Sequence, residues 1–387
     1  MRKQKRPTRP MPRGVRYLLV SALLLYLSFT LLPAAVYGLS QLTGDKEPPV
    51  PGQTGSSETA SQPPALSQAS PTPSPMPAES TPAPETSSLP GFLDNLALPG
   101  ASAAPASGSF RIYDNATGQI LEVSAEEFLP AALACEMDLS SPKEALKAQA
   151  VAIYTLYRQK QESGGLENGA DFSCNTEDWL VYVTKEGMQA RWGEDFDTYY
   201  ATLREVCSEV SNELLTAGGT PICASYFAIS CGSTESAENV WGGSLPYLGQ
   251  VASPGDAFAD GYLSSASYTA KEIKDLAAAK FPEWSFDFSG SEDGWFQEVQ
   301  VSSAGYVTSL KLGGVELTGP EARSLFSLNS ACFSVACENG SFTFSVRGRG
   351  HGVGMSQAGA IWLAQSGAKY DEILGYYYPG TKLVRPD

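Results

Sequence analysis

The sequence is poor in the residues that most enzymes use to hold metals or activate nucleophiles. It has one histidine, His351, in 387 residues, and its seven cysteines include no C-x-x-C pair. No zinc site of the usual Cys/His spacing is visible, and H-E-x-x-H is absent. Any serine triad would have to take His351 as its base, so classical serine or zinc hydrolysis is set aside. The phosphate-cradling patterns G-x-x-x-x-G-K-[ST] and G-x-G-x-x-G are missing as well. Basic residues are scarce: 26 Lys+Arg stand against 42 Asp+Glu, a net charge of −16. Seven of the basic residues lie in the first 16 positions, which leaves 19 against 42, or −23, for the rest. That balance argues against nucleic acid as a partner, and against adhesion to anionic lipid or teichoic acid by charge alone.

What is present begins with a polarised N-terminus. Arg2, Lys3, Lys5, Arg6, Arg9, Arg13 and Arg16 precede an uncharged apolar stretch of 23 residues, 17–39. A helix needs about 20 residues to cross a bilayer, and basic residues before a span hold that end in the cytoplasm. The expectation is a cytoplasmic tail over 1–16, a single transmembrane anchor over 17–39, and an extracytoplasmic remainder tethered to the cell membrane. The stretch exceeds the roughly 7–15 apolar residues of a cleaved signal peptide. Ala34-Ala35-Val36-Tyr37-Gly38 nevertheless has the small residues of a cleavage region. An exported location permits disulfides, and the odd cysteine count leaves at least one thiol unpaired in the monomer. Cys332 with Cys337 and Cys223 with Cys231 are candidate pairs; burial as small hydrophobes is the alternative.

Residues 40–108 hold 14 of the 27 prolines, among many Ser, Thr, Ala and Gln. Such a segment lacks the apolar surface to offset its ordering entropy, so a disordered Pro-rich linker is expected. Fully extended at roughly 3.1 Å per residue it would reach about 210 Å. Gly91–Leu98 is one apolar island within it. From 109 to 387 the composition turns globular. Phe110–Tyr113 and Gln119–Val123 read as a hairpin, and Ser124 as the cap of a helix reaching Glu136. Ser141-Pro142-Lys143-Glu144 reads as a capping box opening a helix to about Gln161, with Leu146, Ala150, Ile153 and Tyr157 on one face. Thr269/Glu272 and Thr318/Glu321 repeat the box. Strand signals lie at 295–301, 307–312, 332–335 and 341–346. The irregular interleaving predicts a single mixed α+β domain.

Three segments could carry chemistry. In Arg347–Ala360, glycines at 348, 350, 352 and 354 alternate with other residues around His351, after a strand and before a helix. Glycine at every second position allows close approach of a ligand or of another backbone, so a tight turn with a satisfied core histidine is the competing reading. Leu129–Met137 places Glu136 at the end of a small, apolar run. Desolvation there would raise its pKa and suit it to general-acid work; a solvent-facing helix end is the alternative. Ala224–Glu235, followed by Asn239–Gly242, runs from a strand into Ser230, Gly232 and Thr234 and then an aromatic, which suits the rim of a sugar cleft or an ordinary polar loop.

Together these segments resemble the stage II sporulation protein D/amidase-enhancer domain family. The resemblance rests on Leu133–Met137, Glu144–Ala152, Tyr226-Phe227, His351–Ala360 and Ile373–Thr381, in order over about 109–385. It implies a peptidoglycan lytic transglycosylase that cleaves between N-acetylmuramic acid and N-acetylglucosamine, leaving 1,6-anhydro ends. Glu136 matches the position of the family's catalytic acid. Ser230, Gly232, Thr234, Gly350, His351, Gly352 and Gly354 would line the glycan cleft, with Ser356 and Gln357 hydrogen-bonding sugar. No cofactor is implied, and no second carboxylate is required, because the sugar's own 6-hydroxyl is the nucleophile. The implied partners are glycan strands stripped of stem peptides and an amidase/endopeptidase of the engulfment machinery. Four departures stand out: Asp138 replaces Pro, Ile153-Tyr154 replaces Ala-Arg, Ala228 replaces His, and Cys231-Gly232 replaces Gly-Gly. Some relatives bind zinc near here; without the histidine at 228, no metal is expected.

Overall fold

The computed structural model describes residues 108–386. The basic tail, the apolar stretch at 17–39 and the linker through residue 107, with its Gly91–Leu98 island, lie outside them. No helix among the described residues is long and apolar enough to cross a membrane.

The chain opens with the expected hairpin. β1 (Ser109–Asp114) pairs antiparallel with β2 (Gln119–Ser124), with Ser109 opposite Ser124 and Asp114 opposite Gln119. The buried Asp114 carboxylate closes the turn by accepting from Ala116 N–H at 3.1 Å and from the Thr117 hydroxyl at 2.8 Å. Helix α1 (Ala125–Glu136) starts where Ser124 Oγ accepts Glu127 N–H at 3.2 Å. Its Phe128–Leu133 run is buried. Helix α2 (Lys143–Glu162) is the central strut. Leu146, Ala150, Ile153 and Tyr157 are buried as expected, and so are Ala145 and the whole run Ala148–Thr155. A helix buried over so much of its length has neighbours on most sides, so it sits inside the domain rather than against it.

The start of α2 differs from the sequence expectation. Pro142 is the cap and no side chain bonds the first turn. Glu144 does not reach back to a serine. Its carboxylate accepts Tyr370 N–H at 3.0 Å and Lys147 at 3.2 Å. A long-range contact thus takes the carboxylate that the capping box would have used.

After α2 come β3 (Phe172–Cys174), parallel to β1, then α3 (Lys185–Trp192) and α4 (Phe196–Glu209). Next are β4 (Leu214–Ala217), β5 (Thr220–Pro221), β6 (Tyr226–Phe227) and α5 (Ala237–Trp241). The chain then leaves this core. β7 (Leu263–Thr269), α6 (Ala270–Lys280), β8 (Phe296–Val301), β9 (Val307–Leu312), β10 (Val315–Thr318), α7 (Gly319–Leu325), β11 (Phe333–Glu338) and β12 (Ser341–Arg347) build two three-stranded sheets, ordered β11-β12-β7 and β10-β9-β8. Both threonine capping boxes form here, Thr269 with Glu272 and Thr318 with Glu321. The chain returns through β13 (Met355–Ser356), α8 (Gln357–Gln365), α9 (Tyr370–Tyr377) and β14 (Lys382–Val384), which closes on β4.

The class is mixed α and β, as expected. The apolar residues, however, form two large buried clusters. One gathers α1, α2, α4 and the C-terminal helices around Phe110, Phe128 and Leu146. The other lies within the 263–347 excursion, around Trp295, Phe326, Phe342 and Phe344.

The cysteines are all free thiols. Cys332 and Cys337 follow one extended strand, where five residues span roughly 16 Å, far beyond disulfide reach. Cys223 belongs to the first cluster and Cys231 to a small separate one with Tyr306 and Cys332. The pairs suggested by the sequence are therefore not formed.

Candidate active site

Glu136 is the last residue of α1, half-buried at the point where the helix stops. The Tyr226 hydroxyl donates to its Oε1 at 3.2 Å. Gln357 Nε2 donates to its backbone carbonyl at 3.2 Å and lies 3.5 Å from Oε2. These two partners are 131 positions apart, and a very short parallel pairing joins their segments. Met355 sits opposite Tyr226, and Ser356 opposite Phe227. Gln357 then opens α8, with Ser356 Oγ capping it by accepting Gly359 N–H at 3.2 Å.

The surroundings raise the pKa of Glu136 to about 7. Burial is the main cause; the hydrogen bonds from Tyr226 and Gln357 and the charge of Lys160 oppose it. The α1 macrodipole acts with burial, because a carboxylate at a helix C-terminus faces the negative end, and the last turn holds no basic residue. Lys160 lies 4.9 Å from the centre of the Tyr157 ring, so a cation backs the buried wall behind the acid. Burial lowers that lysine's own pKa. The nearest carboxylate in sequence, Asp138, is turned away and caps the Ser140 N–H at 2.7 Å.

The residues expected to line a cleft divide into two groups. Gln357 touches Glu136. Ser230, Thr234 and Ser356 are fully buried, with their hydroxyls committed internally. Ser230 Oγ accepts Gly232 N–H at 3.1 Å, and Thr234 Oγ1 accepts Val251 N–H at 2.8 Å and donates to Gly249 O at 3.2 Å. Ser356 Oγ donates to the Asp256 carboxylate. These three shape the site without presenting a free hydroxyl to sugar. Gly232 is part-exposed, and a Cβ there would meet nothing within 4 Å. His351 is neutral. Burial, and secondarily the charge of Arg323, push its pKa down to about 4. Its Nδ1 accepts Val353 N–H at 3.1 Å, and its ring packs on Phe227 and Trp241 at 5.6 and 5.5 Å. It also hydrogen-bonds the backbone of Tyr226, so the histidine braces the residue that holds Glu136.

The glycine alternation has a packing cause. At Gly350 (φ +112°) a Cβ would stand 2.8 Å from Phe227 Cβ; at Gly354 (φ +85°) it would overlap the Ser225 carbonyl. Gly352 packs against Tyr306 in the same way. The 349–354 backbone lies directly on the 225–235 segment, bridging Ile229 to Arg349 and Glu235 to Val353. Gly354→Ala should therefore cost at least about 3 kcal/mol, from left-handed backbone strain plus overpacking. Chemical denaturation of the variant against wild type measures it; an unchanged midpoint would contradict the packing.

Beyond the sequence-derived set, the structure adds Tyr226, Tyr157, Lys160 and Asp256. Asp256 is fully buried, accepts Ser230 N–H at 2.6 Å, and is the acceptor for Ser253 and Ser356. Its pKa is raised by burial, against the opposing hydrogen bonds of Ser253, Ser356 and Ser230. Ser253-Pro254-Gly255-Asp256 resembles any surface turn, so its pattern gives no warning that the aspartate is buried. Among the described residues, no group of three or more His, Cys, Asp or Glu side chains could hold a metal ion. The residues do not fit one: Ala228 offers no ligand, Nδ1 of His351 is occupied, and Cys231 contacts Cys332.

Residues 113–216, which include Glu136 and α2, match a family profile described as SpoIID, stage II sporulation protein. Stage II sporulation protein D of Bacillus subtilis (strain 168) is 32% identical over 281 residues, covering 72% of this chain and 80% of the relative. This chain belongs to the stage II sporulation protein D family. The family protein from Bacillus amyloliquefaciens is 28% identical over 281 residues, 72% of this chain and 79% of that one. A more distant likeness, 24% over 301 residues, is to the amidase enhancer of Bacillus subtilis, covering 64% of this chain and 39% of the enhancer. Family membership thus links the chain to proteins named for sporulation and for amidase enhancement.

Proposed function

We propose that this family member is a membrane-tethered lytic transglycosylase that cleaves peptidoglycan glycan strands to 1,6-anhydro products during sporulation engulfment. The observation that supports it best is Glu136. It is a half-buried carboxyl with a pKa near 7, held by Tyr226 and Gln357 on a rigid helix end. A group poised near the working pH gives and takes a proton with equal ease. Protonated Glu136 donates to the glycosidic oxygen between N-acetylmuramic acid and N-acetylglucosamine, and that bond breaks. The resulting carboxylate then takes the proton of the muramic 6-hydroxyl as its oxygen bonds to C1. Lys160 and the two donors stabilise the carboxylate between these steps. The span at 17–39 and the linker confine the reaction to within about 200 Å of the membrane. A partner amidase/endopeptidase supplies strands free of stem peptides.

Mass spectrometry of products from purified, peptide-free glycan strands tests the reading. Anhydro-muramic ends are expected, with activity falling as the pH rises through about 7, where Glu136 loses its proton. Tyr226→Phe removes a hydrogen bond that favours the ionised form. The alkaline limb should move to higher pH, with a loss of about 10-fold in rate from one missing positioning bond. A limb that stays put would detach Tyr226 from Glu136.

The likeness to the amidase enhancer favours a second reading, a non-catalytic wall-binding module that stimulates an amidase. No anhydro product, together with faster release of stem peptides by an added amidase, would establish it instead.

A further inference from the structure

Cys231 and Cys332 are 101 positions apart in sequence, yet their thiols meet. Both are buried, at 7% and 1% exposure, and their sulfurs interact directly. A Cβ at Gly305 would lie 3.8 Å from one Sγ and 3.9 Å from the other. The Tyr306 ring and Ala331 complete the small cluster around them. The backbone on both sides is held: the Tyr262 hydroxyl donates to Cys231 O at 3.1 Å, and Arg347 N–H donates to Cys332 O at 2.9 Å. Cys231 lies in the 225–235 segment that carries Tyr226, Ser230, Gly232 and Thr234. Cys332 immediately precedes β11, in the excursion with the second core.

We propose that Cys231 and Cys332 form an intramolecular disulfide that ties the site-bearing 225–235 segment to the 263–347 excursion. A bond between already touching sulfurs asks for little backbone movement. It closes a long loop, the case in which a cross-link constrains the unfolded chain most. The chemistry is thiol–disulfide exchange with a small or protein disulfide, RSSR. The Cys332 thiolate attacks one sulfur of RSSR and releases RS⁻, giving a mixed disulfide. Cys231 then gives up its proton, attacks the Cys332 sulfur and releases the second RS⁻. Two thiols lose two protons and two electrons, and RSSR becomes 2 RSH. The pair is asymmetric in the way this requires. Contact with Cys231 and the Arg347 guanidinium hold the Cys332 thiol below the ordinary thiol range, whereas the contact and burial push that of Cys231 up. The bond would form whether or not Glu136 cleaves glycan.

The test uses the full chain, refolded from denaturant in a buffer of oxidised and reduced glutathione so that burial does not shield the thiols. Free thiols are then alkylated, and the digest is mapped by mass spectrometry. One linked peptide pair bearing residues 231 and 332 is expected, with the other five cysteines alkylated. Oxidation should raise the melting temperature by roughly 5–15 °C, and Cys231→Ser and Cys332→Ser should each abolish both the linked peptide and the rise. Alkylation or glutathione capture of both residues in refolded wild-type protein would overturn the proposal, as would either one linked to a different cysteine. The wild-type map decides this even if a serine variant fails to fold.

Discussion

Glu136→Gln releases anhydro products about 10²–10⁴-fold more slowly than wild type, the range that positioned proton transfer contributes, while the folded protein becomes more stable at alkaline pH. The two effects have one cause. Folded Glu136 keeps its proton to about pH 7, whereas the free carboxyl loses it near 4.5. Between those values the unfolded chain binds fewer protons than the folded one, so this residue's contribution to stability falls as pH rises through that window and stays low above it. Glutamine is never charged and escapes the penalty. Denaturant titrations should show the variant gaining roughly 1–3 kcal/mol at pH 8 and little at pH 4, where wild-type Glu136 is mostly protonated in the folded and the unfolded chain alike. Loss of turnover without the stability gain would mean that the carboxyl is not held in its costly form, and that glutamine disturbs the site in another way. Turnover retained by the glutamine protein would remove Glu136 from the chemistry.

Asp256→Ala should destabilise the protein by about 3 kcal/mol or more. Three buried donors, Ser230 N–H and the hydroxyls of Ser253 and Ser356, lose their acceptor together, and each unmet buried polar group costs about 1–3 kcal/mol. The damage reaches the site through Ser356, which caps the helix that Gln357 begins, and through Ser230 on the neighbouring segment. Asp256→Asn keeps one acceptor oxygen and should recover part of the loss, since serine hydroxyls can rotate to meet the amide. Unfolding midpoints of the two variants measure the difference. An alanine protein as stable as wild type would mean that water or a neighbour replaces the carboxylate.

Elements with a local cause were legible from the sequence. The β1–β2 hairpin, the Ser124 cap, the capping boxes at Thr269 and Thr318 and the strands β8, β9, β11 and β12 of the excursion are specified by residues within a few positions of one another, whereas β7 and β10 lie outside the strands expected from the sequence. The Pro142 end of α2 shows the limit, because Tyr370, more than 200 positions away, claims the Glu144 carboxylate that the local pattern assigned to a cap. The sequence by itself also determined Glu136 as the candidate acid, through an apolar run ending in a carboxyl and through the family resemblance. Tertiary structure alone decided what that carboxyl meets. Tyr226 and Gln357 reach it because two residues of parallel strand pair across the chain, and no local pattern encodes such a pairing. The glycines around His351 were visible as a pattern, but their reason was not. They admit the 225–235 backbone, and only packing shows that a side chain would collide there. Burial likewise separates the serines and threonine that hold the loops from the Gln357 amide that reaches the acid, since a hydroxyl reads the same in sequence whether it faces solvent or a buried aspartate.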